Sequence, residues 1–309
     1  MWREAGRMSL REFGMLLALG ALWGASFVFI RVAAPALGPF VLVEGRVALA
    51  SLALVAYLAV IGGLATLRPV RERWRGFLLL GTLNAAVPFV LISVAQLRLT
   101  ASFGAILNST TPLFAAVIGA VWLGDALTAR KVVGLVFGIA GVAVLVGWSP
   151  IPVDALLFLA VLASLGAALF YGIGGSYAKK SFAGIPPLAM AVGQLGGAAV
   201  VVAPFAGAEA ATGGADLSAV VVASMLALAL VSTAAAYLIY FRLLASVGPT
   251  KTLTVTLLVP VFGTFFGAAL LAEPFGGGTL PGLVMILASV LFVNEVRFGK
   301  SPKQPAEAR

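Results

Sequence analysis

Cysteine and histidine are both absent from the 309 residues of this chain. No disulfide framework, zinc site or histidine-based acid–base chemistry can be built from it. Charge is almost as scarce. Asp, Glu, Lys and Arg together make up 10% of the residues, where a soluble domain carries about 25%. A phosphate-cradling G-x-x-x-x-G-K-[ST] loop is also missing, which argues against nucleotide-driven pumping by this chain. With the few acids mostly at the ends of apolar runs, no nucleophile–base pair suggests itself. The expectation is a non-enzyme, with no catalytic residues, no metal and no cofactor.

What is present is apolar: 61% of the residues are hydrophobic and the mean hydropathy is +1.11. Polar residues are too few to cover a soluble core of this size. A bilayer core of about 30 Å calls for runs of about 20 apolar residues, and the chain supplies them repeatedly. The fold class expected is an all-α membrane protein with ten transmembrane helices, near 13–31, 40–61, 76–95, 101–122, 131–148, 155–178, 187–206, 218–241, 250–272 and 280–297. Connections are short, and the glycine-rich stretches near Gly213 and Gly276 read as turns. The first apolar run follows a basic segment without a convincing small-residue cleavage site, so it reads as an uncleaved first helix.

The net charge of +9 is scattered between these runs, which fits the positive-inside bias and not a nucleic-acid partner. Arg3, Arg7, Arg11, Arg68, Arg71, Arg73, Arg75, Arg130, Lys131, Lys179, Lys180, Arg242, Lys251, Arg297, Lys300, Lys303 and Arg309 fall on one side of the predicted spans. Arg31 and Arg98 fall on the other, together with Asp154, Glu209, Asp216 and Glu273. The expected layout is a multi-pass protein of the bacterial inner (cytoplasmic) membrane with both termini cytoplasmic.

The chain also repeats itself at an offset of 148 residues: Trp23 pairs with Tyr171, Gly24 with Gly172, Arg31 with Lys179, Arg46 with Gln194, Asn84 with Ser232, Ser102 with Thr250, Pro112 with Pro260, Asp125 with Glu273 and Gly134 with Gly282. Five spans per copy is an odd number, so the second copy enters the membrane from the opposite side. Two inverted five-helix repeats are expected, over 13–148 and 155–297, followed by a cytoplasmic tail over 298–309. Inverted repeats allow one shape to occur in two mirrored states, the logic of alternating access.

Several segments carry a resemblance. The first span reads ALWGASFVFIRVA, the second PFVLVEGRVALASLAL, the fourth and fifth STTPLFAAVIGAVWLGDALTARKVVGLVFGIAGVAVLV, and the ninth LLVPVFGTFFGAALLAEPF. The tryptophan–glycine pair, Arg46, and the ordered Pro112, Gly119, Asp125 and Gly134, echoed by Pro260, Gly267 and Glu273, resemble the EamA-type ten-helix branch of the drug/metabolite transporter superfamily. The likeness covers residues 13 to 295 in two copies. It departs from the family pattern in carrying Asp125 for the usual glutamate and Gln194 for a second arginine. The resemblance implies a transporter, often an exporter, of small metabolites, amino acids or drugs. Exporters of aromatic and other amino acids are most similar in length and layout.

Polar side chains inside a span want a partner or a water-filled cavity. Asn108 and Thr111 share a face with Gly104 and Ala115, and Thr252 and Thr256 share one with Val259 and Gly263. Pro112 and Pro260 bend these helices. Asn84 and Pro88 lie one turn apart in the third span, answered by Ser232, Tyr237 and Tyr240 in the eighth. Trp23 and Phe27 lie one turn apart in the first, with Tyr171 as the repeat partner of Trp23. The candidate substrate-binding residues are therefore Trp23, Phe27, Asn84, Pro88, Asn108, Thr111, Tyr171, Tyr237, Thr252 and Thr256. Interhelical packing is the competing reading for each. Arg46 is expected to be structural, meeting an acid or helix carbonyls, and Lys251 to reach the interface. The Gly134–Gly138 pair reads as close helix packing, either within one chain or across a homodimer.

The function expected is a secondary transporter, exporting small amphipathic metabolites such as amino acids, aromatic ones favoured. Its partners are then a small-molecule substrate and the lipid bilayer. The alternative is a sugar-nucleotide or phosphate-ester antiporter, which needs inward-facing cations to hold phosphates.

Overall fold

The computed structural model describes residues 8–149, 151–213, 217–274 and 276–294, apart from the side chains of 249 and 250. The expectations for Arg3, Arg7, Asp216, Arg297, Lys300, Lys303, Arg309 and the tail 298–309 lie outside the described residues, as does the side chain of Thr250.

Every described element is helical. Eight helices are long and apolar enough to cross a membrane: α1 (Leu10–Leu37), α2 (Pro39–Val60), α3 (Trp74–Ala95), α4 (Ala101–Leu123), α5 (Ala129–Gly147), α6 (Ala155–Ser181), α7 (Pro187–Thr212) and α8 (Ala219–Gly248). Two shorter apolar helices follow, α9 (Val255–Leu271) and α10 (Thr279–Val293). Local chemistry sets the boundaries. Ser9 and Glu12 form a capping box at the start of α1. Thr100, Thr128 and Asp154 cap α4, α5 and α6 with their side-chain oxygens. Gly38, at φ +87°, makes the sharp corner between α1 and α2 that a side chain would resist, and Pro39 opens α2.

The eighth helix and the ninth are parted at Gly248. Gly248, at φ +80° and ψ 172°, breaks the helix, and the Thr252 hydroxyl donates back to its carbonyl (2.8 Å) in the short turn that follows. The first residues assigned to span nine lie after this break, in a short helical turn ahead of α9, which starts at Val255.

Many large apolar side chains point outwards, among them Leu52, Val121, Phe158, Phe265 and Val284. In water such a surface would drive association; in lipid it needs no cover. The buried core lies between the two halves of the chain. Val43, Val47 and Leu54 of α2 pack with Leu195, Ala198 and Val202 of α7. The main seams run between α1 and α9, α4 and α6, α1 and α8, α3 and α6, α2 and α7, α2 and α8, α3 and α7, and α5 and α10. Shifting each by 148 residues turns one seam into another of the same set.

The α5–α10 seam is where the Gly134–Gly138 pair goes. A side chain at Gly134 would strike Val293 and the Ser289 carbonyl, and Gly282 answers against Leu145 and the Gly141 carbonyl. This pair therefore packs within one chain.

Hydrogen bonds tie the helix connections into two opposite ends. At one, Arg31 donates to the Gln96 carbonyl (2.6 Å), Arg98 pairs with Asp154 (2.6 Å), Glu209 caps the Val41 amide (2.8 Å) and Glu273 caps the Ala101 amide. At the other, Arg73 donates to the Ser181 carbonyl (3.2 Å) and Lys179 pairs with Asp125 (3.1 Å).

Candidate functional site

A cavity of about 570 Å³ opens between α1, α2, α3, α4, α6, α7, α8 and α9. Local irregularities shape its walls. In α3 the turns over Thr82–Ala86 widen to π-helix, and in α8 those over Ala227–Ala235 do the same. The two segments coincide under the 148-residue shift, and each presents polar side chains to the cavity: Asn84 from one, Ser232 and Thr233 from the other. Such widened turns recur at functional positions because they re-aim side chains without ending the helix. In α4 the helix breaks at Ser109–Thr110, ahead of Pro112. Proline denies the Asn108 carbonyl its helical donor, and the Thr111 hydroxyl satisfies it instead (2.7 Å).

Of the residues singled out in the sequence, Trp23, Phe27, Asn84, Asn108, Thr111, Tyr171, Tyr237 and Thr256 all line this cavity. Pro88 and Thr252 do not: both are buried, and the Thr252 hydroxyl is spent on Gly248. The lining is uncharged apart from Arg46, and seven of its side chains are aromatic. Trp23 lies against Tyr240 (ring centroids 5.7 Å), Tyr237 stacks on Phe241 (5.7 Å) and Phe89 meets Tyr171 edge-on (6.4 Å). A hydrogen-bonded chain crosses between the halves: Asn84 donates to the Gln194 side-chain oxygen (2.8 Å), and Gln194 donates to the Tyr237 hydroxyl (2.7 Å). Asn108 Oδ1 and Ser232 Oγ are buried acceptors with no partner among the described residues.

Arg46 corrects the sequence reading. It meets neither an acid nor a helix carbonyl among the described residues. Its Nε donates to the Thr233 hydroxyl (3.0 Å), its guanidinium lies 3.6 Å above the Phe89 ring centre, and it lines the cavity. Gln194, noted only as a departure from a family pattern, is the middle of the polar chain. The available signal was the offset itself, because Arg46 and Gln194 are repeat partners and both are strongly polar inside their spans. Glu44, by contrast, is not among the lining residues, and its Oε2 is buried without a partner among the described residues.

The two ends of the cavity differ. Its lining reaches Ala178, Pro187, Leu244 and Leu253, towards the end that holds Lys179 and Asp125. Towards the other end α4 and α9 close together. The Glu273 carboxylate accepts from the Ala101 and Ser102 amides and the Ser102 hydroxyl, the last two at 2.9 and 2.6 Å. A carboxylate on the first amides of a helix is a charge-assisted contact favoured by the helix dipole. Its repeat partner Asp125 makes the half-exposed pair with Lys179, a contact worth about 1 kcal/mol or less.

These features define a multi-pass helical membrane protein built around a central, largely neutral cavity. The EamA-like transporter family matches residues 12–147 and again 158–295. The chain belongs to the EamA-like transporter family, and its partners are accordingly a small-molecule substrate and the lipid bilayer. It is 26% identical over 298 residues to the uncharacterized transporter YvbV of Bacillus subtilis (strain 168), covering 95% of this chain and 93% of that one. It is 25% identical over 302 residues to a probable amino-acid metabolite efflux pump of Salmonella typhimurium (strain LT2), covering 94% and 97%. A solved crystal structure shares the fold with a TM-score of 0.64 at 17% identity, over 91% of this chain and 96% of the other.

Proposed function

We propose that this protein is a secondary transporter that exports small amphipathic metabolites, amino acids with aromatic side chains foremost, by alternating access. The observation that carries the reading is the aromatic, mostly neutral cavity, tightly closed at the Glu273 end and lined towards the Asp125 end. An apolar substrate body suits such walls, and a few polar groups suffice to orient it. The efflux activity named for the Salmonella relative supports the direction and the substrate class.

In this reading the chain forms ten spans as two inverted five-helix repeats, 13–148 and 155–297. Both termini and the tail 298–309 are cytoplasmic in a bacterial inner membrane. The hydrogen bonds that sort the helix connections into two ends support the alternation of spans, and the seams that interchange under the 148-residue shift support the repeat. The basic residues put the Asp125 end in the cytoplasm, so the cavity faces inwards. Alternation then exchanges contacts between repeat partners. Glu273 leaves the start of α4 for Arg31, as Asp125 now holds Lys179, while Asp125 takes the helix start near Thr250. Neither a cofactor, nor catalysis, nor a nucleic-acid partner enters this cycle. A homodimer would need a surface other than the Gly134–Gly138 pair, which α10 occupies.

The phosphate-ester alternative is weaker. It calls for several inward cations, and Arg46 is the only cation lining the cavity among the described residues. Proteoliposomes loaded with radiolabelled amino acids test the proposal. Saturable flux of aromatic amino acids is expected, reduced about tenfold or more by Trp23→Ala, which removes a wall, and by Asn84→Ala, which breaks the polar chain. Flux confined to phosphorylated compounds, or none for any amino acid, would overturn it.

A further inference from the structure

Arg46 is an anomaly in the cavity wall. It is 8% exposed, at a depth where an uncompensated charge is costly. The three ion pairs among the described residues are Arg68–Glu72, Arg98–Asp154 and Lys179–Asp125, and none involves it. Among the described residues no Asp or Glu lines the cavity. One of its five N–H donors goes to Thr233 and its face is held on Phe89. These two contacts fix the plane of the guanidinium while using only the Nε edge. The terminal nitrogens, the pair of donors suited to a two-point grip on a carboxylate, are left without a protein acceptor among the described residues.

We propose that Arg46 is the anion-binding residue of this cavity, and that it takes the carboxylate of a substrate whose apolar body lies among Trp23, Tyr171, Tyr237 and Tyr240. This rests on the transport reading above and names the chemical class for the same site. The repeat partner of Arg46 is Gln194, whose side-chain oxygen and nitrogen are both committed, to Asn84 and Tyr237. The cavity is therefore polarised, with one cationic pole on α2 and neutral acceptors elsewhere, Asn108 Oδ1 and Ser232 Oγ among them. A carboxylate supplies the countercharge the protein withholds. A zwitterionic amino acid fits through the same group, with its ammonium on the neutral acceptors. A simple organic cation gains nothing there.

The test uses the purified full chain and matched probes that differ only at the anionic group: 3-phenylpropionate against 3-phenylpropanamide, and phenylalanine and leucine against their amides. Binding is read by thermal shift and titration in detergent, transport by competition in proteoliposomes. The wild type is expected to favour at least one acid over its amide by about tenfold or more, as loss of a charge-assisted pair implies. Arg46→Gln brings that ratio to within about threefold of unity while amide binding persists, and Arg46→Lys restores part of it. Thr233→Val keeps the charge but frees the plane, and lowers the ratio. It carries the test if Arg46→Gln does not fold. An acid-over-amide ratio unchanged in Arg46→Gln, or unchanged in Thr233→Val when Arg46→Gln is unfolded, would overturn the inference. So would a wild type that prefers no acid of the panel, or one that prefers phenyl phosphate over 3-phenylpropionate. Saturable flux that Arg46→Gln leaves untouched sinks this inference and spares the transport reading; Arg46-dependent binding without flux does the reverse.

Discussion

A side chain at Gly81 would put its Cβ 2.5 Å from the Gln194 carbonyl and the Ala198 nitrogen, both backbone atoms of α7. Backbone cannot swing aside as a side-chain tip can, so even a methyl group there forces α3 away from α7. Gly81→Ala is expected to lower the melting temperature in detergent by roughly 3–10 °C, the range that about 1–3 kcal/mol of overpacking implies. Gly175→Ala, with nothing within 4 Å of its Cβ, leaves it unchanged. The contrast also separates what sequence and structure reveal about single residues. Trp23 and Tyr171 stand out in the sequence as an aromatic pair at one offset, and both line the cavity. Arg46 did not stand out as a site residue, because a lone arginine in a span reads as one held by an acid or by helix carbonyls until α3 and α8 close around it.

Among the helices, α5 and α10 make the clearest case of a sequence pattern whose partner only packing reveals. Gly134, Gly138 and Gly141 recur on one side of α5, a spacing that promises close approach without saying to what. A side chain at Gly141 would meet Ile286 and Met285 of α10 at 2.8 and 3.1 Å. Gly141→Leu should therefore lower the melting temperature by roughly 3–10 °C while leaving the elution volume on size exclusion unchanged. A shift in elution volume would mean that the seam joins two copies. The π-helical turns in α3 and α8 were invisible beforehand. They widen the helix by a single backbone step, which hydrophobic periodicity does not resolve, yet they carry Asn84, Ser232 and Thr233 into the cavity.

For the molecule as a whole the decisive property is sidedness. Ala129 and Gly277 are repeat partners, both exposed, one at the start of α5 and the other before α10. The chain has no cysteine of its own, so Ala129→Cys and Gly277→Cys each create a unique label site. A membrane-impermeant maleimide is expected to react with Ala129→Cys only from the cytoplasmic side and with Gly277→Cys only from the external side. Reaction from the same side would end the inverted arrangement and the contact exchange built on it.

Composition, the apolar runs and the 148-residue offset were enough to give the helical membrane class, the approximate helices and eight candidate residues that line the cavity. These properties are additive along the chain: transfer into lipid is summed over a run, and a duplication is written residue by residue. Which end is closed, which of two repeat-related carboxylates caps a helix start, and that Arg46 faces an enclosed space without a counterion were decided only by tertiary structure. Those facts depend on how helices distant in sequence meet, and repeat partners that look equivalent in the chain occupy unequal environments once the bundle has packed.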